Sequence, residues 1–77
     1  MSAIAKVIEM VASSPDGWED AVRTAIREAS RTVRGITGVD VLDWTARVED
    51  GELVDYKVNV KIAFVLEGGA DAAGSSV

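Results

Sequence analysis

The run GVDVLDWTARVEDGELVDYKVNVKIAFVL, residues 38–66, decides the fold. Gly38 to Glu49 alternates apolar with polar, Asp50-Gly51 interrupts, and Leu53 to Leu66 alternates again. Asp-Gly between two alternating runs is the strongest short hairpin signal a sequence carries. With Asp50 and Gly51 as the two loop residues, one face pairs Val39 with Ile62, Val41 with Val60, Asp43 with Val58 and Thr45 with Tyr56. The other face pairs Asp40 with Lys61, Leu42 with Asn59, Trp44 with Lys57 and Ala46 with Asp55. The first face is mostly apolar and is expected to pack under a helix. The second is mixed, with opposite charges meeting across it, as cross-strand pairing favours. A three-residue loop would slip the pairing and flip one strand, so the clean sorting supports the even loop.

The helix lies upstream. Ser13-Ser14-Pro15-Asp16 reads as its start, with Ser14 as N-cap and Pro15 at the first helical position. Asp16, Glu19 and Asp20 complement the positive end of the helix dipole. Trp18, Val22, Ala25/Ile26, Ala29 and Val33 form an apolar stripe at helical spacing, and Gly35 is a natural stop. Trp18 reads as core packing. Arg23, Arg27, Arg31 and Arg34 fall largely off the stripe. With Glu19 four residues before Arg23 and Glu28 three before Arg31, they read as a salt-bridged face rather than an anion site. Ala3 to Val11, apolar and partly β-branched, reads as the first strand. Residues 68–77 are small and Gly/Ala/Ser-rich, and read as a disordered tail behind a single domain of residues 1–67.

The order strand, helix, strand, strand makes an α+β fold: a β-α-β-β unit, with one helix packed on one face of a three-stranded antiparallel sheet. One helix covers one face. The other is expected to carry Leu42, Trp44 and Val48, which call for a partner subunit or a ligand.

Composition narrows function by exclusion. The chain has 77 residues, no Cys and no His, and a formal net charge of −5. Disulfides, thiolate nucleophiles, Cys/His zinc sites and His-based catalytic groups are therefore absent. No Ser has a recognisable base partner and no carboxylate pair is singled out, so the residues point away from an enzyme. The acidic balance argues against nucleic acid, whose phosphates need a basic face. No apolar run approaches a membrane span, and Lys6 and Glu9 interrupt any signal-peptide pattern, which fits a cytoplasmic protein. A chain this short buries only about 60% of its unfolded surface, so oligomerisation is the expected support.

Several stretches resemble the dodecins, a family of small flavin-binding proteins. They are Lys6-Val7-Ile8-Glu9, Ser13 to Asp16 leading into Trp18-Glu19-Asp20-Ala21, Arg31-Thr32-Val33, Glu49-Asp50-Gly51, and the strand Tyr56 to Glu67. The likeness spans residues 3–67. It implies a hollow homo-dodecamer with helices outward that sequesters riboflavin or its phosphate, FMN, for storage rather than turnover. In flavin-binding members a Trp near the start of the second strand stacks on the isoalloxazine ring, and a Gln on the third strand hydrogen-bonds the flavin. Counted without gaps, those positions are Gly38 and Lys57 here. A second branch of the family lacks the stacking Trp and has been linked to calcium. That branch implies an alternative, a flavin-free shell that holds a divalent cation or is purely structural.

The candidate cofactor-binding residues are Trp44, Lys57, Asp40, Leu42 and Gly38. Trp44 offers an aromatic platform to a planar ligand, or equally an anchor at a subunit interface. Lys57, read as directly opposite, is suited to a phosphate, a flavin carbonyl or the indole face. Asp40 reads as the cross-strand partner of Lys61. Asp43 is anomalous, since regular alternation turns it toward the helix; a sheet edge or a local bulge would account for it.

Overall fold

The computed structural model describes residues 4–66. Its elements are β1 (Ala5–Ser14), α1 (Trp18–Ala29), β2 (Ile36–Glu49) and β3 (Glu52–Val65), in one antiparallel sheet of order β1-β3-β2. The expected β-α-β-β unit is present. No helix among the described residues is long and apolar enough to cross a membrane. The tail at 68–77 lies outside the described residues.

The hairpin turns as read. Glu49 pairs with Glu52, and Asp50 and Gly51 both have positive φ, 52° and 77°. Two successive left-handed residues match the right-handed twist of the flanking strands, which is why Asp-Gly selects this turn.

The core is one face of β3 under α1. Val58, Val60 and Ile62 are buried against Ala21, Ala25 and Ala29. Those alanines recur every four residues, one above another along the helix, and let its backbone approach the sheet closely. Ile8, Met10 and Ala12 of β1 complete the layer.

Three boundaries differ from the sequence reading. β1 runs on to Ser14, and the helix begins at Trp18 behind Gly17, whose φ of 149° breaks any helical path back to Pro15. Ser14 is therefore not the N-cap. Its buried hydroxyl accepts from the Asp16 N–H at 3.0 Å and donates to Asp20 at 2.6 Å, so it pins the connection to the first helical turn. The helix ends at Ala29, short of Gly35, and residues 30–32 continue as a turn. Arg31 and Arg34 thus lie beyond it. The expected surface pairs do form, Arg23 with Glu19 at 2.8 Å and Arg31 with Glu28 at 3.5 Å.

Candidate functional site

The two flanks of β3 differ in regularity. β1 pairs with it without interruption from Ala5–Val65 to Ser14–Tyr56. β2 pairs with irregularities between Ile36 and Gly38, between Val41 and Asp43, and between Thr45 and Arg47. At the second, Leu42 is an extra residue while Val60 and Asn59 stay adjacent. At the third, Asp55 and Tyr56 together oppose Ala46, and Asp55 takes φ 52°. A β-bulge re-aims every side chain up to the next irregularity, because side-chain direction alternates residue by residue.

That bulge corrects the expected facing pairs. Trp44 lies opposite Val58, not Lys57, and Asp43 lies opposite Asn59, not Val58. Directly opposed residues share a face. Trp44 is therefore on the helix side of the sheet and Asp43 on the open side, which removes the Asp43 anomaly. Leu42, expected on the open face opposite Asn59, is the bulged residue and has no such partner. Val48 pairs with Leu53 at the hairpin end, and both stay exposed.

On the helix side three aromatics meet. The Trp18 ring stands edge-on to Trp44 at 4.9 Å between centroids and 80° between planes. It meets Tyr56 in the same way, at 4.9 Å and 81°. These are the favoured geometries for aromatic pairs. The Trp18 indole N–H donates to the Thr45 carbonyl at 2.8 Å, tying the helix start to β2. Trp18 packs against the core, as its place on the stripe predicted. Trp44 remains 63% exposed.

The open side is built of rows that run across the three strands. Val7, Ala63 and Gly38 make a small, smooth row. A Cβ added at Gly38 would meet nothing within 4 Å. Glu9, Lys61 and Asp40 make a carboxylate–ammonium–carboxylate row, though no Lys61–carboxylate contact falls within 4.0 Å among the described residues. Val11, Asn59 and Asp43 follow, and the Asn59 Oδ1 is buried without a hydrogen-bond partner. Ser13, Lys57 and Thr45 make the last row. The structure thus gathers Gly38, Asp40 and Lys57 on one face and separates them from Trp44.

The sequence reading missed Arg47, and set Asp55 opposite Ala46 without its guanidinium partner. The Arg47 guanidinium donates to Asp55 through Nε at 2.8 Å and again through Nη2, and its Nη1 donates to Glu49 at 2.9 Å. Those carboxylates, Asp55 first, raise the Arg47 pKa above its ordinary value, so it stays charged. The signal was in the sequence. Leu53-Val54 and Val41-Leu42 are adjacent apolar pairs inside alternating strands, and each sits beside a register shift.

A flavin ring needs a stacking surface. On the open face the position that the resemblance assigns to the stacking Trp carries Gly38, and the one aromatic of β2, Trp44, lies on the helix side. Ring stacking on the open face does not fit these residues. Nor, among the described residues, do three or more Asp or Glu side chains converge as a metal site within one chain.

Comparison with known proteins agrees with the fold. The sequence model of the Dodecin family matches residues 4–67. The solved dodecin of Streptomyces coelicolor is 36% identical and superposes with a TM-score of 0.76 over 83% of this chain and 91% of its own. The dodecin of Thermus thermophilus is 27% identical across 87% of this chain and 97% of its length. The calcium dodecin of Mycobacterium tuberculosis is 26% identical across 80% of this chain and 87% of its length.

Proposed function

The chain belongs to the dodecin family, and from that premise we propose that it is a non-enzymatic binding and storage shell, a homo-dodecamer whose open sheet faces hold a small molecule by polar contacts instead of stacking a flavin ring. The observation that carries this reading is the Leu42 bulge. It turns Trp44 to the helix side and leaves Gly38, Ala63 and Val7 as the surface where the family's resemblance puts the ring. Oligomerisation is supported by β2, which is exposed along nearly its whole length in the single chain, with Val39, Val41, Leu42, Trp44 and Val48 among its exposed apolar residues. An apolar run of this extent calls for cover. The absence of His and Cys from the sequence supports binding rather than turnover.

One observation favours a second reading. Trp44 is fixed edge-on by Trp18 yet 63% exposed, so its indole face is a prepared platform for a planar ligand on the helix side, flavin included.

A riboflavin fluorescence titration with light scattering separates the two. The first reading expects a dodecameric mass, no saturable quenching by the native protein, and quenching gained by Gly38→Trp, whose side chain has open space to enter. Saturable quenching by the native protein that vanishes in Trp44→Ala establishes the second reading. A monomeric mass at working concentration overturns the shell.

A further inference from the structure

The last open-face row ends in a cavity of about 300 Å³ lined by Ser13, Thr45, Ala46, Arg47, Asp55 and Lys57. The volume is at the lower end of small-molecule sites. Its chemistry is unusual for a chain with a net charge of −5. Strand pairing puts Ser13 and Thr45 on either side of Lys57 in one row, on backbones about 5 Å from that of Lys57, so a hydroxyl residue stands on each flank of the lysine. Asp55, the carboxylate in the lining, is engaged twice by Arg47, and Glu49 takes the remaining arm of that guanidinium. Among the described residues, no carboxylate lies within 4.0 Å of the Lys57 ammonium. The cavity therefore holds one cation without a counter-ion, with a neutral hydroxyl donor on each side.

Three donors around one positive charge suit a compact, multiply charged oxyanion. Charge-assisted hydrogen bonds to phosphate oxygens are among the stronger polar contacts available to a protein. A carboxylate ligand has fewer acceptor oxygens for the same three donors, and a cation would meet Lys57 directly.

We propose that Ser13, Lys57 and Thr45 form a phosphate-binding subsite at the β3 bulge, which takes the phosphate of a small phosphorylated molecule held in the shell. The bulge is part of the device. It spends two β3 residues against Ala46, which lets Asp55 turn to Arg47 and leaves Lys57 unneutralised. The proposal rests on the small-molecule reading of the open face, and its test is independent of flavin.

The test is calorimetric titration of the assembled protein with inorganic phosphate and, separately, with ribose 5-phosphate, each paired with a mass measurement. The native assembly is expected to show saturable binding that weakens as salt rises. Lys57→Gln is expected to lose about tenfold or more in affinity at unchanged mass, as removal of a charged hydrogen-bond donor does. Tighter binding of the ester than of phosphate identifies a phosphorylated small molecule as the occupant; equal binding identifies the free ion and overturns the ester. If Lys57→Gln fails to assemble, Ser13→Ala with Thr45→Val supplies the loss. No saturable binding by the native assembly, or native affinity in the variants, overturns the subsite while a dodecameric mass leaves the shell standing.

Discussion

β3 has a neighbour on each side, and the two pairings have opposite characters. Toward β1 the ladder is unbroken, and alternate rows deliver Ile8, Met10 and Ala12 to the helix. Toward β2 it breaks three times. The regular flank builds the core and tolerates no slip, because a one-residue shift would put its apolar set in water. The irregular flank is not covered by the helix backbone and is free to redirect side chains. It uses that freedom to bring Trp44 to Trp18 and to set Asp55 against Arg47. Stability and specialisation thus sit on opposite edges of one strand.

The largest expected effect tests that division directly. Ile62 is 0% exposed, between Ile8 on the regular flank and Val39 on the irregular one. Ile62→Ala is expected to cost about 2–5 kcal/mol in denaturant unfolding, for lost burial and the cavity left behind. Val39→Ala, at a site 37% exposed in the chain, is expected to cost under about 1 kcal/mol. Equal costs would break the comparison, and would mean that assembly buries β2 as deeply as the helix buries β3.

A smaller effect sharpens it. Trp18→Phe keeps a ring in the aromatic cluster and removes the N–H that reaches Thr45. The expected cost is about 1 kcal/mol, the usual net worth of one hydrogen bond. The wild-type chain is expected to show an exciton couplet from the paired indoles in its circular dichroism, and the couplet is expected to disappear in Trp18→Phe and in Trp44→Phe alike, while the remaining aromatics keep their own bands. No couplet in the wild-type chain would put Trp44 back on the open face, and the Leu42 bulge with it would be wrong.

What the sequence made legible follows the same line. The Asp50-Gly51 turn and the α1 stripe were readable because each rests on short-range spacing. The pairs Val39–Ile62, Asp40–Lys61 and Val41–Val60 also stand as read, because the extra residue in β3 at Asp55-Tyr56 is offset by the extra residue in β2 at Leu42. Pairing between those two places, from Asp43 to Ala46, was not readable, because alternation alone does not reveal the insertions. Asp43 was the warning: a carboxylate turned toward a helix is costly, and the bulge removes that cost. The Val41-Leu42 and Leu53-Val54 doublets were the corroborating signs. The helix start was misread for a different reason. Ser14 and Pro15 make a good capping pattern, but a strand that continues to Ser14 outcompetes it, and Gly17 then sets the entry. For the site, Lys57 and Asp40 were placed on the correct face and Trp44 on the wrong one.

The smallest expected effect concerns the bulge at Asp55, where two contributions oppose each other. Asp55 sits at φ 52°, a left-handed conformation that Asp tolerates better than most residues and Gly tolerates freely. It also holds Arg47 through two guanidinium nitrogens, in a pair exposed on both sides. Asp55→Gly relieves the first and forfeits the second. Exposed ion pairs contribute little, and Arg47 retains Glu49, so the two changes nearly cancel and the unfolding midpoint is expected to stay where it is. Asp55→Ala forfeits the ion pair and keeps the backbone cost, so it is expected to lower the midpoint. If Asp55→Gly destabilises as much as Asp55→Ala, the ion pair and not the backbone holds the bulge. The irregular flank would then be fixed by side-chain charge, in contrast to the regular flank, which is fixed by burial.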